Sequence, residues 1–201
     1  MKEKLADSVY GKIREAIISG TLSSDELIQE QGVADQYGVS KITAREVLQR
    51  LCHDHYLKSL PRKGYLILEI SPAQLNMIQK VRFQVEALAL REIIRHCSDA
   101  EIDQLEAILN TPASSQYDPY ATVNSNFHLQ LARMSKNPYL YDTLYTFIGS
   151  VCRYAMTNGA SIITQVDDPH HRQIVEALRK RDMELAVEEL RLDLQLSRDE
   201  L

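Results

Sequence analysis

The sequence lacks several features that define other classes of protein. Its 201 residues contain only three cysteines, Cys52, Cys97 and Cys152, which lie far apart and fit no metal-binding spacing. This odd number of scattered cysteines argues against structural disulfides and predicts a reducing, cytoplasmic environment. No apolar run is long enough to span a bilayer, residues 1–7 lack the apolar block of a signal peptide, and no low-complexity tract predicts disorder. We therefore expect a folded protein with no membrane partner.

The net charge of −5 is unevenly distributed along the chain. Residues 1–70 contain equal numbers of basic and acidic side chains, so the remaining residues carry the whole deficit. A neutral domain still binds phosphate if its basic side chains cluster on one face. Charge therefore neither supports nor excludes nucleic acid as a partner. The length of the chain suits one small and one medium domain.

The elements predicted for the first third follow the order of a winged helix-turn-helix. Gly38 breaks the second helix, and Ser40 is placed to cap the third. A hairpin with Arg62 and Lys63 at its tip joins the two strands. The predicted helices cover residues 6–19, 29–37 and 41–53, and the strands cover residues 57–60 and 65–70. Residues 1–70 are therefore predicted to form a DNA-binding domain.

The third predicted helix presents its N-terminal end as a recognition helix does. Arg45 can donate two parallel hydrogen bonds to a guanine, and the methyl groups of Ile42 or Thr43 can contact a thymine methyl group. The other basic residues suit phosphate or minor-groove contacts. The predicted DNA-binding residues are Lys41, Ile42, Thr43, Arg45, Arg50, Arg62, Lys63 and Gly64. For any single residue, a solvated side chain on an ordinary helical corner is the alternative interpretation; the whole pattern favours DNA binding.

After residue 71 the β-prone signal disappears and only helical patterns remain. Pro72 suits the first turn of a long helix that continues to about His96. Five further helices are predicted over residues 98–109, 118–134, 138–157, 169–181 and 182–198. Residues 71–201 are therefore predicted to form an antiparallel helical bundle that can hold a ligand between facing helices. The predicted fold class is mainly α, with a winged helix-turn-helix followed by an all-helical bundle of about six helices.

Several polar residues of the predicted bundle lie on apolar helix faces. His128 shares such a face with Asn124, His171 lies on a second one, and Asp193 lies on the inner side of the last helix. A bound divalent metal would satisfy these buried groups together. The alternatives are also open: a histidine on an apolar face is more often hydrogen-bonded core, Asp193 faces solvent if its helix is rotated by one residue, and His170 can replace His171 as the inward residue.

Four segments resemble the GntR family of regulators, in its FadR-like branch with an FCD effector domain. The run from Gly38 to Leu48 resembles the family signature GVSRxxxREAL, and Lys63 to Ile67 resembles its wing. Val81 to Glu86 is similar to the RxxxE segment that opens the FCD domain, and Asn124 to His128 is similar to its D/NxxFH box. The resemblance covers the whole chain and implies a transcriptional regulator that binds double-stranded operator DNA.

The resemblance also implies a metal and an effector. FCD domains commonly bind a metal such as zinc through an Asp or Asn, a histidine one turn later and two further histidines. The matching positions are Asn124, His128, His171 and Asp193, where the carboxylate of Asp193 replaces an imidazole; such a donor set favours Zn, Ni or Mn. In similar domains the effector is often an organic acid that binds the metal and an inward arginine. The residues expected to bind it are Arg82, Arg153, Tyr154 and Asn158, although Arg82 can instead pair with Glu86.

Two departures from the family pattern weaken any transfer of operator preference. Lys41 stands where arginine is usual, which removes a bidentate fork, and Gln31 stands where an arginine contact to phosphate is expected. The expected function is a ligand-responsive regulator that acts as a homodimer, because one winged helix reads too few bases for useful specificity. The alternatives are a regulator that responds to metal alone and a helical metalloenzyme. The absence of a Glu-x-x-His pair and of a nucleophile motif argues against the metalloenzyme.

Overall fold

The computed structural model describes residues 2–22, 27–111, 122–158 and 169–200. The chain divides into two compact units, residues 1–70 and 71–201. The first unit contains, in order, α1 (Lys2–Ile18), α2 (Glu30–Tyr37), α3 (Lys41–His53), β1 (Leu57–Leu60) and β2 (Gly64–Ile67). This order confirms the predicted winged helix-turn-helix.

The corner between α2 and α3 forms as its residue types predict. Gly38 adopts a left-handed conformation with φ of +64°, which ends α2 without a steric penalty. The side chain of Ser40 accepts a hydrogen bond from the amide of Thr43 at 3.1 Å and caps α3. Behind the corner, Ile13 of α1 and Leu48 of α3 are completely buried. The inward face of α3 is thereby fixed, and its opposite face is left to solvent.

The wing is an antiparallel hairpin in which Leu57 pairs with Ile67 and Leu60 pairs with Gly64. β2 ends at Ile67, earlier than predicted, because its partner Leu57 is the first residue of β1. A third pairing was not predicted: Ile28 forms a β-bridge with Tyr65, with N···O distances of 2.8 and 2.9 Å. The bridge ties the wing to the segment that leads into α2.

The second unit is an all-helical bundle, as predicted. Its helices are α4 (Pro72–His96), α5 (Asp99–Leu109), α6 (Val123–Met134), α7 (Pro138–Thr157), α8 (Pro169–Arg179) and α9 (Met183–Asp193). The long α4 packs against α6, α7 and α9, while α8 packs against α5 and α9. Phe127 and Leu131 of α6 lie in the centre of the core. The described residues include no helix that is both long and apolar enough to cross a membrane.

Several helix ends differ from the predictions, and the start of α6 and the end of α9 differ most. α6 begins at Val123 with Thr122 as its cap, and the predicted start near residue 118 lies outside the described residues. α9 ends at Asp193 instead of continuing to residue 198. There Gln195 takes a left-handed φ of +56°, and the amide of Leu196 bonds back to the carbonyl of Arg191 at 3.0 Å. The Leu196 side chain is buried after this reversal.

Candidate functional sites

The outer face of α3 carries the side chains predicted to read DNA. Ala44 and Val47 point inward, so Lys41, Ile42 and Arg45 are left exposed. Ile42 is 71% exposed, so its apolar side chain is available to a partner. A thymine methyl group is one such partner, because recognition helices meet the major groove with residues near their N-terminal end.

Arg45 is held by an acidic residue that sequence reasoning missed. Its Nε and Nη2 donate to the two carboxylate oxygens of Glu30 at 2.8 and 2.9 Å. The hydroxyl of Tyr65, from β2, also donates to Glu30 Oε1 at 3.3 Å. The hydrogen bonds from Arg45 lower the pKa of Glu30 and keep its carboxylate charged. Glu30 therefore connects α2, the recognition helix and the wing.

The wing brings Arg62 and Lys63 to an exposed tip, as predicted. Gln29 Nε2 donates to the carbonyl of Lys63 at 2.5 Å and holds the tip near α2. Lys41 and Arg45 of α3 line the same concave surface as Arg62, between the corner and the wing. One predicted base-reading residue, Arg45, therefore lies beside two of the predicted backbone-binding residues, Lys41 and Arg62.

Gly64 occupies a position that accepts no side chain. Its φ is +117°, and a Cβ atom there would lie 2.7 Å from the carbonyl oxygen of Ile28. We expect Gly64→Ala to lower the free energy of unfolding of the winged unit by about 1–3 kcal/mol and to weaken DNA binding through the displaced wing. Chemical denaturation followed by circular dichroism measures the first effect. Gly32→Ala is the control, because a Cβ there meets no atom within 4 Å; equal stability of Gly64→Ala and parent would contradict the clash.

Arg50, predicted to contact phosphate, has intramolecular partners. Its Nη1 lies 2.6 Å from Asp7 Oδ1, and its guanidinium stacks on the ring of Tyr10 with the central carbon 4.1 Å from the ring centre. Tyr10 in turn donates to Asp54 Oδ2 at 2.5 Å. Arg50 thus joins α3 to α1, although about half of its side chain remains exposed.

The second unit brings three predicted metal ligands together. His128 of α6, His171 of α8 and Asp193 of α9 each offer a ligand atom, and these atoms lie within 4.8 Å of one another. The Nε2 atoms of the two histidines are 3.3 Å apart, and they lie 3.2 and 3.1 Å from the two oxygens of Asp193. All three side chains are nearly inaccessible to solvent. We refer to them as the His/His/Asp cluster.

Geometry decides two of the alternatives that the sequence left open, the inward histidine and the direction of Asp193. His171, rather than His170, points inward, and its ring stacks on Phe127 at a centroid distance of 4.3 Å. His170 Nδ1 instead lies 2.8 Å from Glu189 Oε2. Burial would raise the pKa of Asp193, but the two histidines of the cluster lower it well below its usual value. Asp193 therefore faces the core as a carboxylate.

Behind the cluster lies a buried ionic chain that starts on α4. Glu86 Oε2 lies 2.5 Å from His128 Nδ1, and Arg82 Nε donates to Glu86 Oε1 at 2.5 Å. Burial would raise the pKa of Glu86, but the charges of Arg82 and His128 outweigh it and the pKa lies below its usual value. A carboxylate on Nδ1 orients the imidazole and directs Nε2 into the cluster, which is the usual arrangement behind a metal-binding histidine. The spacing of Arg82 and Glu86 suggested their pairing, but not the contact with His128.

A small cavity of about 10 Å³, large enough for about one water molecule, lies beside His128. Its lining includes Arg82 of α4, Asn124 and Ser125 of α6, and Ile148 and Cys152 of α7. Arg82 Nη2 is buried there and has no hydrogen-bond partner among the described residues. The cavity thus joins Asn124, the fourth predicted ligand, to the arginine predicted to bind the effector.

The remaining predicted effector residues do not line this cavity. Arg153, Tyr154 and Asn158 are not among the described residues around it. Arg153 is buried, whereas Asn158 is exposed and donates from Nδ2 to the carbonyl of Tyr154 at 2.9 Å at the end of α7. They lie beyond Cys152 along the helix, so the structure brings only Arg82 of this group to the cluster.

The two units together define a winged-helix DNA-binding protein with an attached helical domain. Residues 5–67 match the model of the bacterial regulatory proteins of the gntR family, and residues 77–196 match the FCD domain. The chain belongs to the GntR family of transcriptional regulators, in the branch that carries an FCD effector-binding domain. It is a DNA-binding regulator and not an enzyme.

Similar proteins agree with this assignment. The chain is 27% identical over 187 residues to the HTH-type transcriptional regulator YdhC of Bacillus subtilis, covering 88% of this chain and 82% of the relative. It is 22% identical over 190 residues to the gluconate operon transcriptional repressor of the same organism, covering 89% and 77%. Among solved structures, a putative GntR regulator from Rhodococcus sp. RHA1 superposes with a TM-score of 0.72 at 22% identity, covering 94% and 93%. Escherichia coli McbR superposes with a TM-score of 0.71 at 20% identity, covering 95% and 93%.

Proposed function

We propose that this regulator binds operator DNA as a homodimer, and that a divalent metal and a small carboxylate effector in the FCD domain control its affinity. The observation that carries the proposal is that Arg82 and His128 of the His/His/Asp cluster line one small cavity, and that Arg82 Nη2 has no hydrogen-bond partner among the described residues. Two imidazoles and a carboxylate are a donor set that Zn, Ni or Mn accepts. Asn124 is a further ligand in this proposal. The regulator would act in the cytoplasm, where its operator lies.

The residues around the cluster have separate roles in this proposal. Glu86 orients His128 so that Nε2 faces the metal. The metal, when bound, supplies a positive centre that attracts a carboxylate oxygen. Arg82 Nη2 donates to a second oxygen of the same acid, because two convergent donors recognise a carboxylate better than one. The charge of the effector thereby satisfies a donor that is otherwise buried without a partner.

The cavity size suggests how the effector signal begins. An organic acid needs more space than one water molecule occupies, so α6 and α7 must separate to admit it. The closed and widened arrangements are two states, and an acid that binds only the widened one shifts their populations. We propose that this shift changes the spacing of the two recognition helices in the dimer, which must match half-sites about one DNA turn apart.

An exposed apolar face on α4 supports the homodimer. Met77 is 65% exposed and Val81 51%, and Leu88 is also exposed further along the helix. These positions follow helical spacing and make one stripe. We propose that the same stripe of a second copy covers it, because two-fold symmetric contacts use one surface on both subunits. Sedimentation analysis of Val81→Glu tests this, with a shift from dimer to monomer expected.

Substitution of His171 tests the metal site. We expect the parent, purified without chelator after growth with Zn, Ni or Mn, to contain about one metal ion per chain, and His171→Ala to contain almost none. His171→Ala should still bind operator DNA, because the winged unit is separate. The matched control is His170→Ala, which removes the neighbouring imidazole that faces Glu189 and should keep the metal. Elemental analysis and gel shifts provide the two measurements.

The outcomes separate this proposal from its alternative. A parent protein without metal under all three growth conditions would remove the metal from the mechanism. An operator affinity that follows metal alone and ignores a panel of small mono- and dicarboxylates would favour a metal-responsive regulator. Binding of an acid that weakens or strengthens operator affinity only in metal-loaded protein would support the proposed pairing of Arg82 and metal.

A further inference from the structure

A guanidinium group offers two edges that can each donate two parallel hydrogen bonds, one formed by Nε and Nη2 and the other by Nη1 and Nη2. In Arg45 the first edge is used, because Nε and Nη2 both bind Glu30. No contact of a described residue with Arg45 Nη1 is present, and 56% of the Arg45 side chain is exposed. Glu30 thus occupies the side of the guanidinium and leaves its end open.

Glu30 is itself fixed more firmly than an ordinary surface acid. It is the first residue of α2, where the helix dipole favours a negative charge. The hydroxyl of Tyr65 donates to the same carboxylate, and less than a fifth of the Glu30 side chain is exposed. Since the Ile28–Tyr65 bridge and Gln29 tie the wing to this segment, the carboxylate has a defined position relative to α3.

We propose that Glu30 is a specificity-determining positioning residue, which holds the guanidinium of Arg45 so that its open end meets a guanine. The inference rests on the proposed role of Arg45 in reading the operator. An arginine that is already ordered loses less conformational freedom on binding than a mobile one. A fixed carboxylate close to the DNA also repels phosphates, so it weakens binding to DNA that lacks the guanine. Both effects raise the ratio of operator affinity to non-specific affinity.

Simple sequestration of Arg45 by Glu30 is a different arrangement with a different result. In that case removal of Glu30 would free Arg45 and strengthen binding to every sequence, operator included. In the positioning arrangement, removal of Glu30 strengthens binding to arbitrary DNA and weakens binding to the operator. The ratio of the two affinities, rather than either affinity alone, therefore distinguishes the two arrangements.

The test uses the full-length protein and a duplex selected by the parent from a pool with a random core. Dissociation constants are measured for this duplex and for a scrambled duplex of the same composition. We expect Glu30→Gln to lower the affinity ratio about tenfold, within the range of one bidentate base contact. Glu30→Asp keeps the charge but shortens the side chain, and we expect it to lower the ratio as well. Glu46→Gln is the control: it removes an equal charge from the exposed face of α3, and no described contact joins Glu46 to Arg45.

Each outcome bears on one claim. A lowered ratio for both Glu30 variants, with an unchanged ratio for Glu46→Gln and unchanged thermal unfolding, supports the positioning role. An unchanged ratio for Glu30→Gln together with a lowered ratio for Arg45→Ala overturns the positioning role and leaves Arg45 as a reader of bases. An unchanged ratio for Arg45→Ala overturns the reading register itself. In the Glu30→Gln background, Arg45→Ala should change the ratio less than it does in the parent, because the two residues act as a pair.

Discussion

Glu86→Ala is expected to lower the free energy of unfolding of the helical domain by about 3–5 kcal/mol, the usual cost of removing one partner from a buried ion pair. The substitution leaves the guanidinium of Arg82, which is only 3% exposed, without its carboxylate. It also takes away the acceptor at His128 Nδ1. Arg82 then stays buried without a carboxylate partner and His128 Nδ1 without an acceptor, and this, more than the lost contacts, causes the instability.

Urea denaturation of the full-length variant, followed by circular dichroism, measures the loss. Glu176→Ala is the matched control, because Glu176 also pairs with a residue four positions away on its helix, Lys180, at 3.1 Å. That pair is exposed, so its removal should change the stability by less than about 0.5 kcal/mol. An equal change in the two variants would show that the Arg82–Glu86 pair is solvated in solution.

A double variant separates the cost of the unpaired charge from the value of the pair. Arg82→Met with Glu86→Leu removes both charges and keeps apolar volume, so it should recover part of the stability that Glu86→Ala loses. Metal binding should not recover with it, since the orienting carboxylate on His128 is still missing. A loss of about 10–100-fold in metal affinity is expected for such a change behind a ligand.

Local chemistry explains why so much of the winged unit was predictable from sequence. Gly38 and Ser40 determine the corner through a left-handed turn and a helix cap, and both effects act over a few residues. The inward face of α3 follows from apolar spacing alone. The order of the predicted helices and strands then indicated a winged helix, and the resemblance to a known family supported it. Residue spacing could not predict the contact of Glu30 with Arg45, because the two residues lie 15 positions apart in the sequence.

In the helical domain, too, local sequence patterns predicted the helices but not the contacts between residues far apart in the sequence. Apolar periodicity predicted six helices and placed His128, His171 and Asp193 on inward faces, and the structure brings them into one cluster. The contact of Glu86 with His128 spans 42 positions and depends on how α4 packs on α6. Arg153 was chosen for its residue type, but Arg82 lines the cavity and Arg153 does not.

Arg45→Ala is expected to remove most of the sequence specificity of the regulator. A bidentate contact with guanine distinguishes the right base from the wrong one by about 1–3 kcal/mol in each half-site. In a homodimer the loss applies twice, so operator affinity should fall on the order of 100-fold or more. Affinity for a scrambled duplex should fall much less, because the substitution removes only one positive charge per subunit.

Arg45→Lys separates the charge of this residue from its geometry. Lysine keeps the positive charge but cannot present two parallel donors, so it should retain the scrambled-duplex affinity and the salt dependence of the parent while losing discrimination at the guanine. Gel shifts at two salt concentrations give both quantities. A lysine variant with the parent's full discrimination would mean that Arg45 meets a phosphate, and that base reading belongs to other residues of α3. The exposed Ile42 would then be the first residue to test, through its contact with a thymine methyl group.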